Sequence, residues 1–147
     1  MSKIKSFRGL IADGGQETVA LHTNNGSTGY RITKFQILRT KPTASTDHVL
    51  KIYKVSQATV PTGSATVDLS DNTLLAVAVL SGVGFGEYDT TIVFDNEIFN
   101  QDIYVTHTDN DGTEACNYYF ELEQMSLDLN ESTVATLKDL RNNKVPS

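Results

Sequence analysis

The sequence predicts a mainly β protein, an antiparallel β-sandwich or jelly roll with one C-terminal α-helix. Three observations indicate this class. Seven or eight short segments resemble strands, and clusters of Asn, Asp, Gly, Pro and Ser separate them. These strands do not alternate with helical patterns, which argues against a parallel sheet. The strand-like segments are followed by one helical pattern, over residues 130–142.

The predicted strands follow from alternation of apolar and polar residues. The clearest begins at Tyr118, where Tyr118, Phe120 and Leu122 alternate with polar neighbours. In the segment Tyr30–Arg39 the apolar positions change parity near Thr33, which indicates a bulge or a crossing between sheets. The other predicted strands are Thr18–His22, His48–Ser56, Leu74–Leu80, Thr90–Phe94 and Asp102–Thr108.

The segment Leu74–Leu80 fits a helix or a buried strand by periodicity alone. Its short length, its valines and the turn residues on either side favour a strand. The C-terminal segment favours a helix, because Asn130 is a good N-cap and apolar residues recur every three positions from Val134. A lone helix of this length is marginal in water, so its apolar stripe needs a sheet or a partner to cover it.

Length and composition predict one domain over residues 1–147, large enough to bury a core without staples. Residues 1–16 are predicted to form an N-terminal docking arm. The single cysteine, Cys116, excludes an intramolecular disulfide and a multi-cysteine zinc site. No apolar run follows the basic start, and the longest such run is far shorter than the roughly 20 residues of a membrane span. We therefore expect assembly in a host cytoplasm and no membrane partner.

Charge is distributed unevenly along the chain. Residues 1–54 contain nine Lys or Arg and three acidic residues, whereas residues 55–137 contain fourteen acidic and no basic residues. If the two halves do not interleave, the protein has one basic and one acidic surface, and such fields orient docking. If strands from both halves alternate in the sheets, the charges average out. Both outcomes are compatible with the sequence.

Three glycines at 82, 84 and 86 form a glycine-rich segment. A phosphate-binding loop needs a helix directly after it, and here a strand pattern follows. We therefore predict wide turns or a mobile loop. Val83, Phe85 and Tyr88 would make it an exposed contact loop.

The segment 109–114 carries Asp109, Asp111 and Glu114, whose oxygens suit Ca²⁺. The distal glutamate and the flanking helices of an EF-hand are missing, and Asx and Gly residues form hairpin turns for backbone reasons. A turn is the favoured interpretation, with Ca²⁺ kept as a weak candidate.

Catalytic and metal-binding motifs are not visible. His22, His48 and His107 lie on or beside different predicted strands, and no spacing brings them together as ligands. Cys116 has no local motif of a nucleophile, and no nucleophile elbow or metal-binding helix is present. The sequence therefore predicts a binding protein that is not an enzyme and has no cofactor. Its uncompensated acidic residues argue against nucleic acid as a partner.

Residues 48–142 resemble small virion structural proteins of tailed bacteriophages from aquatic environments. The segments that carry the resemblance are Leu50–Gln57, Leu74–Ala76, Phe94–His107, Thr113–Glu123 and Thr136–Asn142. The resemblance implies a β-sandwich or jelly-roll protein on the particle, on the capsid exterior. It carries no catalytic residue to this chain.

The function we expect is that of a capsid decoration or cement protein, which binds neighbouring subunits of the major capsid protein and stabilises the head. Homo-oligomerisation is also expected, with a trimer suited to local three-fold axes. The alternatives are a tail, fibre or host-recognition module and a small hydrolase of unrecognised type. The residues predicted to dock on the capsid are Lys3, Lys5, Phe7 and Arg8 of the arm, and Arg31, Lys34, Arg39, Lys51 and Lys54 of one sheet face.

Overall fold

Eight strands form two antiparallel sheets in the computed structural model. It describes residues 3–23, 26–42, 46–82, 88–110, 112–128 and 136, apart from the side chain of Tyr88. The strands are β1 (Lys3–Ile11), β2 (Gln16–Val19), β3 (Thr28–Arg39), β4 (His48–Tyr53), β5 (Leu74–Ser81), β6 (Tyr88–Val93), β7 (Ile103–Asp109) and β8 (Cys116–Ser126). One sheet has the order β1-β8-β3 and the other β2-β7-β4-β5-β6.

The inward side chains of both sheets meet in one hydrophobic core. Ile32, Phe120 and Leu122 come from the three-stranded sheet, whereas Leu50 and Val105 come from the five-stranded sheet. All five are at most 1% exposed. Burying each such side chain contributes roughly 1.5–3 kcal/mol. The arrangement is compatible with the predicted β-sandwich.

The structure confirms the mainly β class and several details of the strands. Residues Leu74–Ser81 form a strand, which settles the ambiguity of that apolar run. The register between β3 and β8 shifts between Ile32 and Lys34, where the change of parity predicted an irregularity. The predicted C-terminal helix over 130–142 lies outside the described residues, except for Thr136.

The prediction of an N-terminal docking arm is wrong for the described residues of that segment. Residues Lys3–Ile11 form β1, which pairs with β8 along its whole length, from Lys3 opposite Gln124 to Ile11 opposite Cys116. The alternation of apolar and polar residues did not predict this strand, because two of its inward positions are lysines. Lys3 and Lys5 are exposed at the end of the sheet. A strand at the edge of a sheet needs no apolar residue where the core does not reach.

Tyr118 connects the two sheets close to this edge. Its hydroxyl donates a hydrogen bond of 2.6 Å to Oε1 of Glu17 in β2. Burial and the Glu17 carboxylate raise the pKa of Tyr118, so the hydroxyl keeps its proton. The ring lies against Gly9, where an added Cβ would come within 2.8 Å of the Tyr118 hydroxyl oxygen. This close approach explains a glycine in the middle of β1.

Candidate binding surface

The side of the three-stranded sheet that points away from the core presents four rows of side chains. We call it the outer face. Each row contains one residue from each strand, because the residues directly opposite one another on paired strands point to the same side of the sheet. The rows are Ile4–Glu123–Arg31, Ser6–Glu121–Lys34, Arg8–Tyr119–Gln36 and Leu10–Asn117–Leu38.

One end of the outer face combines apolar, aromatic and cationic groups. Leu10 and Leu38 are 54% and 58% exposed, on either side of Asn117. The next row contains Arg8 and Tyr119. A shallow groove of about 630 Å³ lies at this end of the face and is lined by residues of β1, β8 and β3. Tyr and Arg are the residues most enriched at energetic centres of protein interfaces. This end of the face therefore has the composition of a protein-binding surface.

The opposite end of the outer face is electrostatically mixed. The acidic strand β8 lies between the basic strands β1 and β3, so Glu121 and Glu123 face cations across the sheet. Nε of Arg31 donates to Oε1 of Glu123 over 2.6 Å, and the pair raises the pKa of Arg31. Here strand mixing averages the charges, which was one of the two outcomes compatible with the sequence. Solvent and salt screen an exposed pair of this kind, so it adds little to stability.

The residues predicted to dock do not form one surface. Lys34, Arg31 and Arg8 lie on the outer face, whereas Lys51 lies on the five-stranded sheet and donates to the carbonyl oxygen of Thr66. Lys3 and Lys5 are exposed at inward positions of β1, away from the outer face.

Arg39 and Lys54 are each 4% exposed, so the prediction that they form part of an open basic face is wrong. Nε of Arg39 donates to the carbonyl oxygen of Thr46 over 3.0 Å, and Nζ of Lys54 donates to Glu97 over 3.3 Å. Arg39 lies at an inward position at the end of β3, whereas Lys54 directly follows β4. Each of the two buried cations has a nearby acceptor, as burial of a charge requires. Phe7 is partly buried and stacks on Phe120, with ring centroids 5.2 Å apart.

The predicted contact loop and the calcium candidate lie partly outside the described residues. Val83 and Phe85 are outside them, and Tyr88 begins β6. Asp111 is also outside them. Asp109 is fully buried, and its Oδ2 accepts the backbone N–H of Glu114 over 2.9 Å.

Sequence reasoning missed a buried cluster that strand pairing assembles. His48 in β4 and His107 in β7 lie on paired strands at inward positions, and Cys116 begins β8 in the opposite sheet. Nδ1 of His48 lies 2.8 Å from Nε2 of His107. One nitrogen of each imidazole and Sγ of Cys116 lie within 4.8 Å of one another. The only sequence signal was that both histidines occupy inward positions of strands.

The hydrogen bonds define the protonation of this cluster. Nδ1 of His107 lies 3.0 Å from the carbonyl oxygen of Ile11, which can only accept, so Nδ1 carries the proton. Nε2 of His107 then accepts from Nδ1 of His48, and Nε2 of His48 accepts from the hydroxyl of Thr46 over 2.8 Å. Burial lowers the pKa of both imidazoles, which agrees with two neutral rings.

The third histidine, His22, belongs to a separate structural contact. Oδ1 of Asp102 accepts the backbone N–H groups of Leu21 and His22 over 2.8 and 3.0 Å, and Nδ1 of His22 over 2.7 Å. Burial alone would raise the pKa of Asp102, but these hydrogen bonds lower it below its ordinary value. Asp102 thereby holds the segment after β2 against the start of β7.

Replacing Asp102 with alanine should therefore lower the free energy of unfolding by about 1–3 kcal/mol, because two backbone donors lose a charged acceptor. The contribution of Asp102 to stability is fully present above the ordinary pKa of a carboxyl group, and it is lost as pH falls through the lowered pKa of Asp102. Urea denaturation at pH 7 measures the loss. Replacing the exposed Asp89 in β6 is the control, and equal losses in both variants would contradict the assignment.

No protein-family model matches the chain, and no curated protein matches it. The described part of the chain contains no helix that is long and apolar enough to cross a membrane.

Proposed function

We propose that this protein is a structural component of a tailed bacteriophage particle, a capsid decoration or cement protein that binds neighbouring subunits of the major capsid protein. The observation that carries the proposal is the apolar end of the outer face, where Leu10 and Leu38 are exposed beside Tyr119 and Arg8. Exposed leucines beside a tyrosine and an arginine are typical of a surface that another protein covers.

The strand order supports the inference that the two sheets form a jelly roll. Strands β4, β5 and β6 are consecutive neighbours, and β7 returns to lie beside β4. This order, β7-β4-β5-β6, is that of a Greek key, and a jelly roll of eight strands contains two of them. The isolated bridge between Tyr30 and Phe99 links the segment after β6 to β3, as expected if the chain crosses between sheets there.

The resemblance of residues 48–142 to small virion proteins of tailed phages supports placement on the particle. The net charge of −6 disfavours contact with packaged DNA, which supports a position on the capsid exterior. A trimer on local three-fold axes remains a prediction. A protein that binds only the assembled shell stabilises it by mass action.

Binding should weaken when the charge at the apolar end of the outer face is reversed. We expect Arg8→Glu to lower affinity for purified capsids lacking this protein by about tenfold or more, because Arg8 lies in the row of Tyr119. Co-sedimentation of the full chain with these capsids measures the affinity. Lys41→Glu is the matched control, since it makes the same charge change at a side chain that is 72% exposed and outside the face.

Two results would overturn the proposal. One is absence of the chain from purified particles by mass spectrometry, and the other is equal heat resistance of particles with and without it. Label on the tail would favour the host-recognition alternative, whose predicted loop residues Val83 and Phe85 lie outside the described residues.

A further inference from the structure

The buried cluster of His48, His107 and Cys116 does not take part in the proposed docking. Each of the three is at most 1% exposed, in the interior between the two sheets. We propose that these three side chains form a binding site for a soft transition-metal ion, with Cu⁺ as the preferred occupant.

The first support is the placement of the donors on the most constrained strands. β4 and β7 each pair with strands on both sides in the five-stranded sheet, and β8 lies between β1 and β3. A metal site needs donors that hold their positions, and paired strands supply this better than loops. Imidazole nitrogen and thiolate sulfur are also the donors that zinc and copper ions prefer.

The second support is distance. Two nitrogens that bind one ion at about 2.0 Å each, with angles near 110–120°, lie about 3.3–3.5 Å apart, and a sulfur ligand lies about 3.7 Å from each. Nδ1 of His48 and Nε2 of His107 are 2.8 Å apart, and the whole group spans no more than 4.8 Å. The rings would separate by about half an ångström to admit an ion.

The third support comes from the hydrogen-bond partners of the two imidazoles. They can hold each ring in the tautomer that leaves a nitrogen free for the metal ion. Nδ1 of His107 donates to the carbonyl oxygen of Ile11, which leaves Nε2 as the donor atom for a metal. The proton on Nδ1 of His48 would move to Nε2, and the hydroxyl of Thr46 would accept there instead of donating. The thiol of Cys116 would release its proton to solvent, so binding one ion releases one proton.

Coordination number and charge favour Cu⁺ over Zn²⁺. The group has three members among the described residues, and a trigonal set of two imidazoles and one thiolate is typical of copper. Zn²⁺ with one thiolate carries one more positive charge than Cu⁺ with one thiolate, and Zn²⁺ prefers a fourth ligand. The buried carboxylate of Asp109 accepts the backbone N–H of Glu114 and is not a member of the group.

The test is anaerobic titration of the full chain with Cu⁺ against a chromophoric Cu⁺ chelator, with Zn²⁺ in parallel. We expect one Cu⁺ per chain, sulfur-to-metal charge-transfer absorption, and release of one proton per ion. Cys116→Ala and His107→Gln should each weaken binding on the order of 100-fold. Nitrogen NMR of the imidazoles should show the His48 proton moving from Nδ1 to Nε2.

His22→Gln is the matched control, because His22 contacts Asp102 outside the cluster and its removal should leave Cu⁺ affinity unchanged. Circular dichroism establishes that the variants fold, and Cys116→Ser replaces Cys116→Ala if alanine does not. Wild-type protein that holds Cu⁺ no more tightly than the cysteine variant would overturn the site. Tighter binding of Zn²⁺ than of Cu⁺ would overturn the choice of ion. Neither result depends on whether the protein is found on a virion.

Discussion

Replacing Phe120 with alanine is expected to lower the free energy of unfolding by about 3–5 kcal/mol. Phe120 is fully buried at the centre of the three-stranded sheet, and its register partners on either side are Phe7 and Phe35. Its ring also lies 5.9 Å from that of Tyr118, so the variant loses several aromatic contacts and leaves a cavity. Total stabilities of about 5–15 kcal/mol make this a large loss.

The neighbouring residue provides the control for that experiment. Tyr119 precedes Phe120 in β8 but points to the outer face, so Tyr119→Ala should destabilise the fold much less than Phe120→Ala and should instead weaken the proposed capsid binding. Urea denaturation at pH 7 measures both variants. If the two substitutions destabilise the fold equally, the assignment of inward and outward faces is incorrect.

Acidification of the metal-free protein should cause the second large effect. Burial lowers the pKa of His48 and His107 below the ordinary 6.5, and the neighbouring His107 lowers the pKa of His48 further. The unfolded chain therefore binds more protons than the folded one as pH falls below 6.5. Stability is full above that value and should fall by up to about 1.4 kcal/mol per pH unit for each imidazole that protonates on unfolding.

Other charged groups adjust this loss without changing its sign. Asp109 favours protonation of both rings, Asp47 favours that of His48 and Asp13 that of His107, whereas Arg39 opposes that of His48. Unfolding in urea from pH 8 to pH 5, with a chelator present, measures the effect. The doubly substituted variant His48→Gln, His107→Gln should lack this slope, and an identical slope in both proteins would refute the assignment.

Local patterns predicted most of the strands because one face of each is buried. The alternation from Tyr118 and the valine-rich run at Leu74 depend only on period and residue type, and both segments form strands. β1 escaped prediction since Lys3 and Lys5 occupy inward positions beyond the reach of the core. Its partner, β8, is more than 100 residues away in the chain, and no local pattern records that distance.

The surfaces depend on pairing that local patterns do not contain. The segregation of charge along the chain left two outcomes open, separate charged surfaces or charges averaged by strand mixing. In the three-stranded sheet the acidic residues of β8 lie between β1 and β3, so the charges mix there. The two buried histidines are 59 residues apart and meet because β4 pairs with β7. Predicting either arrangement requires the strand order, which the hydrophobic period leaves open.

The pairing of β1 with β8 has a consequence for synthesis. Within the described strands β1 has one partner, and that partner ends at Ser126. The three-stranded sheet therefore cannot form until the ribosome has released β8, and until then the edge of β3 that pairs with β8 has no partner strand. Such distant pairing slows folding relative to local contacts. Nascent chains should depend on chaperones late in translation, and fragments that end before residue 116 should not retain a folded three-stranded sheet.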